Sequence, residues 1–362
     1  VLISIFVPMQ EKISELLIKK YLEIKRDLPW RGIRDAYKIW LSEVILQQTR
    51  VNQGMPYYFS FVETYPDVKS LAEASEDEVL KLWQGLGYYS RARNMLRTAK
   101  AVYGKYGNAF PSSYHDLIEL KGIGNYTASA VASFSANEPY AVVDGNVNRV
   151  ITRLFGIKEF VDTAAGKKAV AEAAQSILNP KHADLHNQAI MELGALICTP
   201  KKPACDECPL NIHCVAFAEG RMTDYPFKRE KKAVKKRFMV YWLMDDGENI
   251  ILQKRDEKDI WGGLYQFPLT ETDEEIAEAG LYDLPLAQFG IKAGDLKIYP
   301  TMKHVLTHRQ LMIRFVHISV KKLPSVPASI VVDVDSVDKY PFPIVIANFL
   351  NNFYKDLFGG KA

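Results

Sequence analysis

From residue 11 to residue 197, apolar and charged residues alternate at helical spacing. Ile13, Leu16, Leu17 and Leu22 mark the apolar stripe of a first helix over 11–26. A loop with Pro29 and Gly32 follows at 27–35, then a helix over 36–50. The same spacing predicts helices at 52–64, 67–73, 75–83, 90–107, 112–119, 125–136, 146–155, 163–178 and 182–197, separated by short polar turns. Strand-like alternation is scarce here, so this part reads as all-α. Residues 228–237, KREKKAVKKR, hold seven Lys or Arg and one Glu and read as linker. Beyond them the period shortens to two at Phe238–Met244, Asn249–Gln253, Leu311–Val320 and Ser329–Val334. With helices expected at Glu274–Ala279 and Phe342–Leu357, this is an α+β pattern. The expected organisation is a helical domain over 9–216, a basic linker over 217–236 and an α+β domain over 237–362. No internal repeat or low-complexity tract interrupts it.

A chain of 362 residues with 48% hydrophobic content has the length and composition for two such cores. Its net charge of +3 is too small to imply a nucleic-acid partner, so local clusters carry that argument. No apolar run reaches the length of a membrane span, and no membrane partner is expected. The opening Val1–Pro8 is apolar but lacks a basic start and a small-residue cleavage site, so no signal peptide is predicted. A monomer in the cytoplasm, associated with the nucleoid, is the expectation.

One stretch, Leu117–Arg149, concentrates chemistry. Gly122 and Gly124, one residue apart in LKGIG, let the chain turn sharply and come close to something outside. The helix that follows near Asn125 points unpaired N–H groups outward, which suits a phosphate. After a Pro-containing loop, Asp144 opens another helix. It is either a plain N-cap or a carboxylate set beside a sugar, and the two roles are compatible.

The four cysteines, Cys198, Cys205, Cys208 and Cys214, fall in one 17-residue window spaced C-x6-C-x2-C-x5-C. A secreted disulfide framework would spread them along the chain. Four thiolates in one loop surround a single soft metal centre. Zinc is the alternative to an iron–sulfur cluster, but ribbon zinc sites use two short C-x2-C pairs, and the long first gap suits a 4Fe–4S cubane better. Lys201, Lys202 and His213 lie between or beside the ligands, so this loop can also face a phosphate.

LKGIGNYTA, then VDGNV, then the cysteine loop, then an α+β domain occur in that order. With LPWR at 28–31, SEVILQQTRV at 42–51, GLGYYSRARN at 85–94 and ELGALICTP at 192–200, the chain resembles the helix-hairpin-helix iron–sulfur DNA glycosylases. Within these it resembles the MutY family of adenine DNA glycosylases. The resemblance implies a helical catalytic domain, a 4Fe–4S cluster on the four cysteines and a C-terminal Nudix-like domain. It also implies duplex DNA with A·8-oxoguanine or A·G mispairs as partner and substrate, and hydrolytic removal of the adenine.

Cleaving an N-glycosidic bond calls for a protonated leaving group and a stabilised oxocarbenium-like sugar, tasks that two carboxylates divide. By the resemblance Glu43 is the acid. Periodicity alone puts it on a polar face with Gln47 and Arg50, but Trp40, Leu41, Val44, Ile45 and Leu46 flank it and would raise its pKa by desolvation. Asp144 stabilises the sugar and Asn146 orients it or a water. Tyr126 stands where endonuclease III-like relatives carry a Schiff-base lysine, which implies little lyase activity. Lys121, five residues earlier, reads as solvated or phosphate-facing. Arg26, Trp30, Arg31, Leu46 and Gln188 match the adenine pocket. Gln48 and Tyr88 match wedges into the base stack. Ser90 and Arg91, with Arg93, read as phosphate contacts beside Gly122 and Gly124. WGGLYQFP at 261–268 resembles a Nudix start without the acidic Arg-Glu-x-x-Glu-Glu remainder, hence a binding module. Leu306, Thr307 and His308 match the loop that reads 8-oxoguanine, with Thr in place of the usual Ser and His304 nearby.

Overall fold

The computed structural model describes residues 3–229, 235–291, 296–306 and 309–358. They form two compact units, Val1–Glu73 with Asn94–Glu230 and Ala74–Arg93 with Lys231–Ala362. In the helical part the elements are α1 (Ile3–Ile24), α2 (Ala36–Ile45), α3 (Val51–Thr64), α4 (Val68–Glu73), α5 (Glu76–Leu82), α6 (Ser90–Tyr106), α7 (Tyr114–Ile118), α8 (Asn125–Ala136), α9 (Gly145–Phe155), α10 (Ala164–Ser176), α11 (Ala183–Leu196) and α12 (Val215–Ala218).

Caps fix several boundaries of the first unit. The Asp35 side chain accepts from Lys38 N at the start of α2, and the Thr163 side chain from Gly166 N at the start of α10. Asp144 does the same for α9, which ends on Gly156 in the left-handed conformation. α9 and α11 share a core with α1 and α10, built from Leu17, Ile151, Val170, Ile190 and Leu193. The helix expected over 36–50 stops at Ile45, because Gln48 has a left-handed backbone (φ 57°) that no helix continues through. Residues 217–229, which the sequence reading gives to the linker, pack on this unit: Tyr225 is buried, Val161 N donates to Phe227 O, and Arg229 pairs with Asp162.

The second unit is built on a mixed sheet of β1 (Lys235–Asp245), β2 (Asn249–Lys254), β3 (Tyr265–Gln266), β4 (Leu269–Thr272), β5 (Lys297–Ile298), β6 (Met302–Val305), β7 (Arg309–Ser319) and β8 (Ser329–Asp333). β1 and β7 pair in parallel along their whole eleven-residue length, with Tyr241 opposite Phe315. The period-two rule sends Tyr241, Leu243, Ile313 and Phe315 to one face, where Phe349 of α14 (Ile344–Phe358) stacks on Phe315 at 3.9 Å. Val240, Trp242, Val316 and Ile318 fill the other face, with Leu284 and Phe289 of α13 (Leu284–Phe289) against them. Both faces are covered, which explains the near-continuous apolar runs. The basic stretch 228–237 ends inside the sheet, since β1 begins at Lys235.

The helix expected at Glu274–Ala279 is reduced to a short 3₁₀ helix over Glu278–Leu281. Arg314 donates to Ile276 O and to Glu275, and Thr272 Oγ1 donates to Glu274 O, so side chains take the carbonyls a first helical turn needs. The α-helix of this stretch lies further on, at Leu284–Phe289.

Candidate active site and cluster loop

A cleft of about 930 Å³ opens in the first unit between the α7–α8 hairpin, the end of α2 and the start of α9. Tyr126 and Asp144 line it, as do Leu46, Gln48, Gly122 and Gly124. Gly122 has φ 99°, and a Cβ there would meet Thr98 Oγ1 at 2.8 Å, so the hairpin turn excludes any larger residue. Gly124 differs from the sequence expectation. It caps α8 with an extended backbone and open space beside it, so it leaves the first N–H groups of α8 uncovered instead of making the turn. Lys121 is exposed in the same turn, and its carbonyl accepts from Thr98 Oγ1.

Glu43 lies on α2 among buried Trp40, Val44 and Ile45 and is itself only 6% exposed. Tyr126 Oη donates to Glu43 Oε2 at 2.5 Å. Burial lifts the Glu43 carboxyl to about 7. The Tyr126 hydrogen bond opposes the rise, and the Asp144 charge adds to it. Asp144 accepts from Asn146 N at 2.8 Å, Asn146 Nδ2 at 2.8 Å and Val147 N at 2.7 Å. Burial raises the pKa of Asp144 as well, against these three bonds and the Arg149 charge. The two carboxyls therefore differ in kind. Asp144 sits at a helix N-terminus with three donors, which favours the anion. Glu43 has apolar walls and, among the described residues, the Tyr126 donor, and its burial favours the acid.

Arg26, Arg31 and Gln188 line a second cleft of about 510 Å³, separate from the one that Leu46 lines, and the two arginines meet on a residue the sequence reading missed, Glu192. It is four residues beyond Gln188 on α11 and 1% exposed. Arg26 donates to Glu192 through Nε at 2.8 Å and Nη2 at 2.7 Å, and Arg31 through Nη2 at 2.6 Å. Gln188 accepts from Tyr21 Oη at 2.7 Å, and the Arg31 guanidinium lies over the Tyr21 ring. Trp30 packs edge-on against Tyr58 at 5.1 Å. A lone carboxylate on the apolar face of the helix 182–197 was the signal available for Glu192. Burial raises its pKa, but the Arg26 and Arg31 bonds outweigh that and hold it down at about 2. Its contribution to stability is thus present above the ordinary value of 4.5 and lost as pH falls through about 2. Glu192→Gln leaves two arginines without their anion, and a loss of about 2–3 kcal/mol in urea unfolding at pH 7 is expected. An unchanged midpoint would show the pairs to be incidental.

Cys198, Cys205, Cys208 and Cys214 line a small apolar cavity with Arg153 and Met222. Arg153 Nη1 donates to Cys198 Sγ at 3.3 Å and to Thr199 O at 2.8 Å. A guanidinium against a ligand thiolate complements the negative charge of an iron–sulfur centre, so the residues fit the group. Arg149, also missed, joins this loop to the carboxylates. Its Nε donates to Cys198 O at 2.6 Å, and its Nη2 donates to Gly194 O at 2.6 Å and to Asn146 Oδ1 at 3.0 Å.

Tyr88, Ser90 and Arg91 belong to the other unit. Tyr88 stands 45% exposed with a left-handed backbone, φ 48°. In the C-terminal sheet Leu306 N donates to Arg309 O, and His304 lies against the Trp261 ring. Thr307 and His308 lie outside the described residues.

The hairpin cleft lined by Tyr126 and Asp144, the buried Glu43 bonded to Tyr126 and the four-cysteine loop lie in one unit, which is that of a helix-hairpin-helix base-excision repair protein. The HhH-GPD superfamily of base excision DNA repair proteins matches residues 41–180, the iron–sulfur binding domain of endonuclease III matches 198–214, and a NUDIX domain matches 239–352. The adenine DNA glycosylase of Buchnera aphidicola subsp. Schizaphis graminum is 36% identical over 260 residues, covering 72% of this chain and 75% of that protein. The adenine DNA glycosylase of the subspecies from Baizongia pistaciae is 34% identical over 300 residues, covering 83% of each. A solved thermostable thymine-DNA glycosylase aligns with a TM-score of 0.54 at 27% identity, over 58% of this chain and 97% of its own.

The chain belongs to the adenine DNA glycosylase family. It is a DNA-binding base-excision-repair enzyme that hydrolyses N-glycosyl bonds and carries a 4Fe–4S cluster. When bound, the cluster supplies iron–thiolate bonds that cross-link the loop 198–214. No described helix is long and apolar enough to cross a membrane.

Proposed function

We propose that this enzyme removes adenine mispaired with 8-oxoguanine or guanine in duplex DNA, and that it is monofunctional, with little or no lyase activity. The observation that carries the reading is the 2.5 Å bond from Tyr126 to Glu43. A phenol cannot form a Schiff base, and this one is committed to the acid. In the reaction, the hairpin at Gly122 and Gly124 grips a phosphate while Gln48 and Tyr88 fill the space left by the departing base. The flipped adenine enters beside Arg26, Arg31, Trp30, Leu46 and Gln188, with Glu192 holding the two arginines in place. Glu43 donates its proton to the five-membered ring of the base as the bond to the sugar breaks. The Asp144 carboxylate, fixed by Asn146, stabilises the cationic sugar until water attacks. The C-terminal domain reads the opposite base through Leu306, Thr307 and His308. Without the hydrolase's acidic pattern it is a binding module, and the work is done on nucleoid DNA.

An A·8-oxoguanine duplex incubated with the enzyme is expected to break at the adenine only after alkali treatment. Alkali-independent nicking, or an adduct trapped by borohydride, would mean a lyase instead. Binding without base release would mean a scaffold.

A further inference from the structure

Residues 74–93, which the sequence places among the helices, lie in the same compact unit as the C-terminal sheet. α5 opens with a capping box between Ser75 and Glu78 and buries Val79 and Leu80, with Trp83 buried just after it. Asp77, Lys81 and Gln84 follow one another at i, i+4 and i+7, a single stripe. Each is tied to the C-terminal domain. Asp77 accepts from Lys254 Nζ at 2.7 Å and from Tyr265 Oη at 3.0 Å. Lys81 Nζ donates to the carbonyls of Asp338 and Tyr340, at the end of the short 3₁₀ helix Val334–Lys339. Gln84 Oε1 accepts from Phe342 N at 3.2 Å. At Gly263, whose φ is 82°, a Cβ would lie 3.2 Å from both Arg93 Nη1 and Glu76 Oε1, so the left-handed backbone and the close approach both favour glycine there. Gly263 and Tyr265 belong to WGGLYQFP, the Nudix-like segment that has no hydrolytic carboxylates to serve.

The turn carried by this seat is built tightly. Trp83 Nε1 donates to Gly87 O at 2.9 Å. The Arg91 guanidinium lies over the Trp83 ring at 5.0 Å and the Tyr88 ring at 5.7 Å, and donates to Gly87 O at 3.2 Å. These contacts hold Tyr88 outward in its left-handed conformation, a strain of the kind that persists at functional positions.

We propose that Asp77, Lys81 and Gln84 are positioning residues that seat the Tyr88 turn on the C-terminal domain. The domain that reads the base opposite adenine thereby also sets the wedge. This rests on the reading of Tyr88 as wedge given above. An isolated surface ion pair does little for stability, so the seat acts by geometry and shows itself in discrimination.

The test is single-turnover excision from A·8-oxoguanine and A·G duplexes by the full-length holoenzyme, read as the ratio of the two rates. Asp77→Lys is expected to lower that ratio by about tenfold, Tyr88→Ala to lower it by a similar factor, and the double variant to be no worse than Tyr88→Ala. Adding Lys254→Asp to Asp77→Lys restores the pair with its charges exchanged and is expected to recover the ratio. Should Asp77→Lys fail to fold, Lys254→Asp alone breaks the same pair from the other side and takes its place. If Tyr88→Ala lowers the ratio but Asp77→Lys does not, or the two effects multiply, the seat is overturned while the wedge stands. If Tyr88→Ala leaves the ratio unchanged, the wedge reading falls and the seat falls with it.

Discussion

Glu43→Gln is expected to stop adenine excision while making the protein more stable. The loss of activity follows from the proposed acid role: the amide N–H is far too weak an acid to take it over, and a positioned general acid is worth about 10²–10⁴-fold. The gain in stability follows from burial. The carboxyl titrates at about 7 in the fold against an ordinary 4.5. Its contribution is fully present below about 4.5 and lost as pH rises through about 7. Above that, the fold carries an unfavourably buried carboxylate, at a cost of about 3 kcal/mol. The amide oxygen still accepts from Tyr126, so the exchange forfeits little. At pH 8 the variant is expected to melt about 5 °C higher than the parent, and at pH 4.5 the difference is expected to vanish. Scanning calorimetry at the two pH values checks this. Equal melting at both would mean that Glu43 is not desolvated in solution.

Asp144→Asn is expected to remove about 10³-fold of the excision rate at nearly constant DNA affinity. In the proposed reaction it loses the charge that faces a cationic sugar. Asn caps a helix about as well as Asp, so the bonds from the backbone N–H groups of Asn146 and Val147 survive. Only the bond from Asn146 Nδ2 turns from donor–acceptor to donor–donor, a cost of about 1 kcal/mol. Asp144→Ala loses the cap as well. A folded, DNA-binding, inactive Asp144→Asn protein separates catalysis from capping. An active one would leave Asp144 as a cap alone.

What the sequence revealed depended on the range of the interaction. The helices of the first unit were legible because their apolar stripes are long and periodic, and the cluster loop because its ligands are close in the chain. Asp144 was legible as an N-cap because capping is local. Glu192 was not, since its partners Arg26 and Arg31 lie more than 150 residues away. Arg149 reads as an ordinary helix arginine until α11 and the cysteine loop are brought over it. β3 and β5, with two residues each, are too short to show a period. α2 ends at Ile45 because the backbone turns left-handed at Gln48, which the apolar period does not reveal. Residues 74–93 give no sign in their own composition of the sheet on which they are seated.

Glu43 is expected to react as a protonated acid, with its pKa raised by burial and moderated by Tyr126. The direct measurement is the single-turnover rate of adenine release against pH, for the parent enzyme and for Tyr126→Phe. The parent rate is expected to fall above about 7, the value at which Glu43 loses its proton. Removing the phenol takes away a hydrogen bond that favours the anion, so in Tyr126→Phe this limb is expected to move to higher pH. An alkaline limb that stays in place, or that moves down, would mean that the limb does not report Glu43.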